Sequence, residues 1–194
     1  DGYEEVRGRN AAKEVLEKGI HRFLDFKGIV MTDSGAYQIL KYGRVEVDPW
    51  EILMFQKDVD TDIGVILDLP TGWGVSRSYA KWTVEETLER AKQAMEYLGK
   101  TDVLWTGPVQ GGRYTDLVAW SAKEMSKLPF DVYALGSPTK VMEQYLFDVL
   151  IEMIMSAKTN LPVEKPLHLF GAGHPLIFSF AVALGCDLFD SASY

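Results

Sequence analysis

Six short apolar runs recur along the chain, each closing on a polar residue or a glycine turn and each separated from the next by a segment of helical periodicity. They run from Gly28 to Thr32, Ile63 to Asp68, Val103 to Gln110, Asp131 to Gly136, Leu167 to Gly173 and Cys186 to Asp190. Runs that are apolar on both faces of the pleat suit parallel strands covered by helices on their outer side. Their alternation with helical segments marks an α/β chain with a parallel sheet. The residues at the ends of these runs are Asp33, Asp68, Gln110, Gly136, Gly171 and Asp190. A doubly wound sheet also binds ligands beyond its strand ends, but only a barrel gathers six of them around one mouth. Six units in 194 residues average about 32 residues each. Eight would need about 260, near the roughly 250 of a complete TIM (β/α)8 barrel, so the chain is expected to supply about six βα units of one.

The helical segments carry their own end signals. One spans Pro49 to Val59. A second is expected to open at Thr83, where Thr83 and Glu86 form a capping-box pattern, and to close at Gly99. Others run from about Tyr114 to Leu128, from about Lys140 to Lys158, and from Pro175 to Leu184 with Gly185 beyond the end. Trp50, Phe55, Phe178 and Phe180 fall at helical spacing and are expected in the core.

Composition removes several classes. A single cysteine, Cys186, forms no intrachain disulfide, and with three histidines it cannot complete a Cys/His zinc cluster. No apolar run approaches a membrane span, and the opening DGYEEVRGRN lacks the basic and apolar regions of a signal peptide, so a cytoplasmic location is the expectation. The net charge of −8 and a pI of about 4.9 argue against a surface that binds nucleic acid everywhere, while leaving room for a local basic strip.

Three carboxylates, Asp33, Asp68 and Asp190, lie where a barrel puts its reacting groups. Two carboxylates flanking a bond to a sugar carbon permit double displacement: one attacks the anomeric carbon and the other moves protons to and from the leaving group. A third can accept from a ligand's N–H groups. Gln110 both donates and accepts, the glycine turns at Gly111-Gly112 and Gly136 admit a flat ligand to the backbone, and Tyr37 offers a ring face. These types suit a planar heterocycle joined to a sugar, although an Asp after a strand also serves as a helix cap.

Four motifs in order sharpen this. Asp33-Ser34-Gly35-Ala36-Tyr37-Gln38 resembles the DSGG(F/Y)Q signature of tRNA-guanine transglycosylases. Val109-Gln110-Gly111-Gly112 with Tyr114, Asp116 and Leu117 resembles their VQGG…DLR segment. The segments from His168 to Pro175 and from Leu188 to Tyr194 (LFDSASY) are similar to the archaeal branch, the archaeosine tRNA-guanine transglycosylases, and matches extend from about Gly19 to Tyr194. The resemblance implies exchange of a guanine in the tRNA D-arm for 7-cyano-7-deazaguanine. Asp190 would be the nucleophile and Asp33 the general acid/base. Asp68 would accept from the base's N–H groups, Gln110 with the Gly136-Ser137 backbone would bind its carbonyl edge, Tyr37 would stack on it, and Ser34 would join the binding site. The chemistry needs no cofactor. It also implies tRNA, guanine and 7-cyano-7-deazaguanine as partners, no membrane, a homodimer of the full-length protein, and a structural zinc whose ligands lie outside this chain.

Two departures stand out: Ser137 occupies a usual glycine position, implying an altered backbone contact, and Val118 replaces an arginine, implying a weakened ion pair or RNA contact. The chain is expected to be the central part of the catalytic barrel, strands two to seven, with the zinc-binding and RNA-binding parts absent. Alone it should therefore bind tRNA weakly. Among the other candidates, Asp187 is expected to be structural and His168 a core or supporting residue rather than a ligand. His174 should face the mouth, and His21 and Cys186 should have no chemical role. Competing readings are a paralogous tRNA-binding domain without exchange activity and an unrelated barrel hydrolase acting on nucleosides or sugars.

Overall fold

The computed structural model of the protein describes residues 11–36, 48–99, 101–172 and 174–191. After a helical stretch at 11–18, the order is α1 (Ile20–Leu24), β1 (Met31–Thr32), α2 (Pro49–Asp58), β2 (Ile63–Val65), α3 (Arg77–Leu98), β3 (Leu104–Val109), α4 (Thr115–Met125), β4 (Val132–Leu135), α5 (Thr139–Glu143), α6 (Phe147–Lys158), β5 (Leu167–Leu169), α7 (Pro175–Ala183) and β6 (Leu188–Phe189). Each β-rich run contains one strand. All five pairings are parallel, in the order β1-β2-β3-β4-β5-β6, with each strand beside its neighbour in sequence.

This sheet is curled into part of a barrel. In a flat sheet β1 and β6 would lie five spacings apart, about 24 Å at roughly 4.8 Å each, well beyond the reach of screened charge. Instead the charge of Asp190, after β6, acts on Asp33, after β1, and that of Asp33 acts on Asp68, after β2. The helices pack on the outer surface. Val84, Leu88 and Ala91 of α3, Val118, Ala122 and Met125 of α4, and Met153, Ile154 and Ala157 of α6 are buried in one cluster with Trp105, Phe130, Tyr133, Leu135 and Leu167. Among the described residues β1 and β6 each pair on one side only.

Three sequence expectations change. The helix expected to open at Thr83 starts at Arg77, capped by Ser76, whose hydroxyl accepts from Tyr79 N at 3.3 Å. Thr83 lies two turns inside it and is buried: its hydroxyl donates to Ala80 O and sits 2.6 Å from Thr71 Oγ1, so a tertiary contact, rather than a cap, occupies it. The segment from Lys140 to Lys158 is two helices, because Tyr145 takes a left-handed conformation (φ 54°) between α5 and α6. The expected core aromatics Trp50, Phe55 and Phe178 are more than a third exposed, while Phe180 is partly buried. Trp50 meets Tyr97 and Phe178 meets Phe189 at the rim of the core.

One buried side chain completes the sheet. Gln56 of α2 donates Nε2–H to Val65 O at 2.8 Å and accepts from Val65 N at 2.9 Å, satisfying both backbone groups at the last residue of β2 beyond the end of β1. The Thr32 hydroxyl donates to the same Gln56 oxygen at 2.9 Å, tying β1 into the joint.

Candidate active site

Short strands followed by polar turns bring Asp33, Asp68, Gln110, Gly136 and Asp190 to the same end of the sheet, the C-terminal end of its strands. Asp33 follows β1, and its Oδ1 accepts from Ser34 N at 2.7 Å. Burial drives its carboxyl above the ordinary carboxylate range, and the Asp190 charge pushes the same way. Hydrogen bonds from the Ser34 and Gly35 backbone and the nearby His168 offset this only in part. Ser34 is buried, and its hydroxyl has no hydrogen-bond partner among the described residues. Tyr37 lies outside those residues, as do Gly173 and residues 192–194.

Asp68 is 4% exposed, and burial raises its pKa to about 7 against the opposing hydrogen bond from Gln110. That bond runs from Gln110 Nε2–H to Asp68 Oδ2 at 2.5 Å. At the other end of the amide, Gln110 Oε1 accepts from Thr71 N and from the Ser137 hydroxyl, both at 3.0 Å. Two donors on one atom and a carboxylate on the other fix which end of the amide is NH2. Gln110 N donates to the buried Ser121 hydroxyl oxygen, and Gly111 N to that of Thr71. Packing here is close enough to dictate a glycine: a Cβ on Gly136 would fall 2.2 Å from Gln110 Nε2. Gly136 N–H itself donates to Val109 O. Ser137, at the usual glycine position, holds φ at 64° and uses its hydroxyl on Gln110.

Asp190 follows β6. Its Oδ1 accepts from Gly171 N at 2.8 Å and lies 2.9 Å from His168 Nε2 on the neighbouring β5. Burial pulls its pKa upward, but these hydrogen bonds outweigh it and hold the carboxylate below the ordinary value. The remaining candidates are structural in their contacts. Asp187 accepts from Leu167 N at 2.9 Å beside Lys158. His174 caps α7, its Nδ1 accepting from Leu176 N at 3.3 Å. His21 contacts the Asp62 carboxylate and Phe26 O, and makes no contact with Asp33, Asp68 or Asp190. Cys186 is buried, which pushes its thiol up to about 12. Val118 is wholly buried in the outer core, and the ion pair on its helix is carried by Asp116 with Arg77. Among the described residues, no group of three or more His, Cys, Asp or Glu side chains is placed to hold a metal ion. Nothing in this set fits the zinc that the resemblance implies.

Sequence reasoning passed over Thr71 and Ser121. Thr71 lies beside Gly72, three residues after Asp68, whereas Ser121 sits inside α4, eleven residues from Gln110, where nothing in the sequence marks it.

The model of the queuine tRNA-ribosyltransferase family matches residues 6–194. The chain belongs to that family. Among curated relatives it is 58% identical to the tRNA-guanine(15) transglycosylase of Pyrobaculum aerophilum over 90% of the chain and 36% of that protein. It is 53% identical to that of Aeropyrum pernix, over 93% and 35%, and 50% identical to that of Methanocaldococcus jannaschii, over 92% and 28%. The chain thus spans about a third of the length of these relatives. Family membership and the six parallel strands agree with the partial TIM barrel read from the sequence.

Proposed function

We propose that the chain is the central part of the catalytic barrel of a tRNA-guanine transglycosylase, exchanging guanine in the D-arm for 7-cyano-7-deazaguanine. The number 15 in the relatives' name supports position 15 as the target. The single observation that carries the reading is the divergence of two carboxyls at the same end of the sheet: burial pulls Asp190 upward but hydrogen bonds from His168 and Gly171 hold it below the ordinary value, while burial pushes Asp33, which feels its charge, toward its protonated form. Environments that separate two carboxyls in this way assign a nucleophile and an acid.

In the first displacement Asp190 attacks the ribose C1′ and the C1′–N9 bond breaks. Its electron pair leaves with guanine, which takes the proton carried by Asp33. In the second, Asp33 recovers a proton from N9–H of the incoming base, N9 attacks C1′, and the bond to Asp190 breaks. Two inversions give net retention. Asp68, ionised, accepts from the ring N–H and exocyclic amine. The second N–H of Gln110 Nε2 reaches the base carbonyl. Since Gly136 N–H is engaged by Val109 O, the Gly136-Ser137 backbone contact falls to Ser137 N–H. Ser34 and Tyr37 complete the pocket, Tyr37 by stacking. The target nucleotide leaves its stack to reach the mouth. No cofactor takes part. On this reading the full-length protein is a cytoplasmic homodimer whose zinc ligands and main tRNA-binding surface lie outside this chain.

Replacing Asp190 by Asn in the full-length protein should abolish both uptake of labelled guanine into tRNA and the covalent protein–RNA adduct. Exchange at the normal rate would overturn the assignment.

A further inference from the structure

Two donors converge on one oxygen of Asp190: His168 Nε2 and Gly171 N both address Oδ1. The two groups come from β5 and the turn after it, so the carboxylate at the end of β6 is gripped from the neighbouring strand. His168 is buried on β5 with its ring edge-on to Phe170, whereas Asp190 is about half exposed. The other ring nitrogen, His168 Nδ1, is buried with no hydrogen-bond partner among the described residues.

This pair of environments settles where a neutral ring carries its proton. On Nδ1 the N–H would be buried and unpaired, while the Nε2 lone pair would face a carboxylate oxygen at 2.9 Å. On Nε2 the proton makes a charge-assisted hydrogen bond and leaves only a bare acceptor unmatched.

We propose that His168 is the positioning residue for Asp190: its Nε2–H, with Gly171 N–H, fixes Oδ1 as the bystander oxygen and turns Oδ2 toward the ribose C1′. This rests on Asp190 acting as the nucleophile. In the ribosyl-aspartate ester, Oδ2 is bonded to C1′ and Oδ1 is the carbonyl oxygen. When the incoming base attacks C1′, the C1′–Oδ2 electron pair returns to the carboxylate. The charge that reappears on Oδ1 then meets two donors already in place, as in an oxyanion hole. His168 therefore acts chiefly on the second displacement, making Asp190 a better leaving group. Two other titratable groups act in this step on the same reading: Asp33, whose pKa His168 helps to lower, and Asp68, which holds the incoming base.

The test is His168→Leu in the full-length protein, beside His168→Gln, which keeps a side-chain donor. The Leu variant should lose about 100-fold in kcat, the lower end for removing one donor aimed at developing charge. Because tRNA enters in the first displacement and the second is the one slowed, the apparent KM for tRNA should fall with kcat, leaving kcat/KM for tRNA within about threefold. The trapped adduct should accumulate relative to wild type because its breakdown slows. The acidic limb of kcat, read at saturating guanine so that Asp68 does not set it, should move to higher pH as Asp190 loses a donor, and the Gln variant should recover part of each effect. Unchanged kcat, adduct level and acidic limb in the Leu variant would overturn the proposal. If that variant does not fold, nitrogen-15 NMR of histidine in the wild-type protein decides: protonated Nε2 supports the proposal, and a neutral ring protonated at Nδ1 refutes it. A wild-type protein that forms no adduct would instead defeat the transglycosylase reading, whatever His168 does.

Discussion

Gln110 and Asp68 meet across neighbouring strand ends, the amide Nε2 of one donating to Oδ2 of the other at 2.5 Å. Both are almost wholly buried, and burial holds Asp68 at about 7 despite that bond. A base that presents only N–H donors to Asp68 binds its ionised form, so below pH 7 binding must first expel a proton. The KM for guanine should accordingly fall about tenfold for each pH unit from pH 5 to pH 7 and level off above. Asp68→Asn should weaken guanine binding and flatten this dependence. For stability the sign is opposite to that of a salt-bridged carboxylate. The folded pKa lies above the unfolded one, so between about pH 4 and 7 the folded state binds more protons and stability falls as pH rises. Thermal unfolding of the wild type and Asp68→Asn across that window checks it; the Asn variant should lack the decline attributable to Asp68.

Gly136 is required by proximity rather than by turn geometry, since a Cβ there would strike Gln110 Nε2 at 2.2 Å. Gly136→Ala should push the amide off Asp68 and away from the base carbonyl. The expected result is a rise of at least tenfold in the KM for guanine, as for loss of a well-oriented polar contact, with a smaller change in kcat because Asp33 and Asp190 are untouched. Steady-state kinetics of guanine exchange in the full-length variant measure both.

All six strands and the ends of most helices were legible because each has a local cause: apolar runs, Pro175 at the first turn of α7, Gly99 at the end of α3. The carboxylates and Gln110 were legible as strand-end residues and as motif positions. The start of α3 was not, because the Thr83/Glu86 spacing imitates a cap whose Thr is in fact used in a tertiary hydrogen bond to Thr71. Nor was the break between α5 and α6, where Tyr145, a non-glycine residue, takes a positive φ that no sequence signal announces. The partnership of His168 with Asp190 depends on which residues of β5 and β6 stand side by side, and the register supplies that where the two motifs read separately cannot.

Arg77 and Asp116 form a bidentate pair, and Arg77 and Arg113 both lie near the Tyr114 ring, at 5.6 and 5.2 Å from its centroid. Both partners of the pair are more than half exposed. Water and salt screen such a contact, so its loss should cost little stability. Asp116→Asn should therefore shift the melting temperature by no more than about 4 °C, with a smaller shift at high salt. A larger loss by calorimetry would mean that the pair fixes the loop before α4 more firmly than its exposure implies.

Gln56 presents the contrasting case, a buried polar side chain whose two ends are both committed to the same backbone residue, Val65. Gln56→Leu would keep most of the side-chain volume while leaving Val65 N–H and C=O unpaired in a buried site; the Thr32 hydroxyl would keep Thr61 Oγ1, at 3.2 Å, as an acceptor. Each unmatched backbone group costs about 1–3 kcal/mol, so the variant should lose roughly 2–6 kcal/mol. Gln56→Glu keeps an acceptor for Val65 N but sets its second oxygen against Val65 O, so a buried carboxyl there must take up a proton to donate in place of the amide. Its stability should consequently fall as pH rises above the ordinary carboxylate range, a dependence that the Leu variant lacks. Because the joint lies where β2 runs on beyond β1, toward Asp68, the Leu variant should also lose guanine affinity in proportion to its loss of stability. Denaturant unfolding paired with guanine binding on the same samples tests the coupling, and a destabilised variant with unchanged affinity would show that the Val65 joint and the Asp68 turn are mechanically independent.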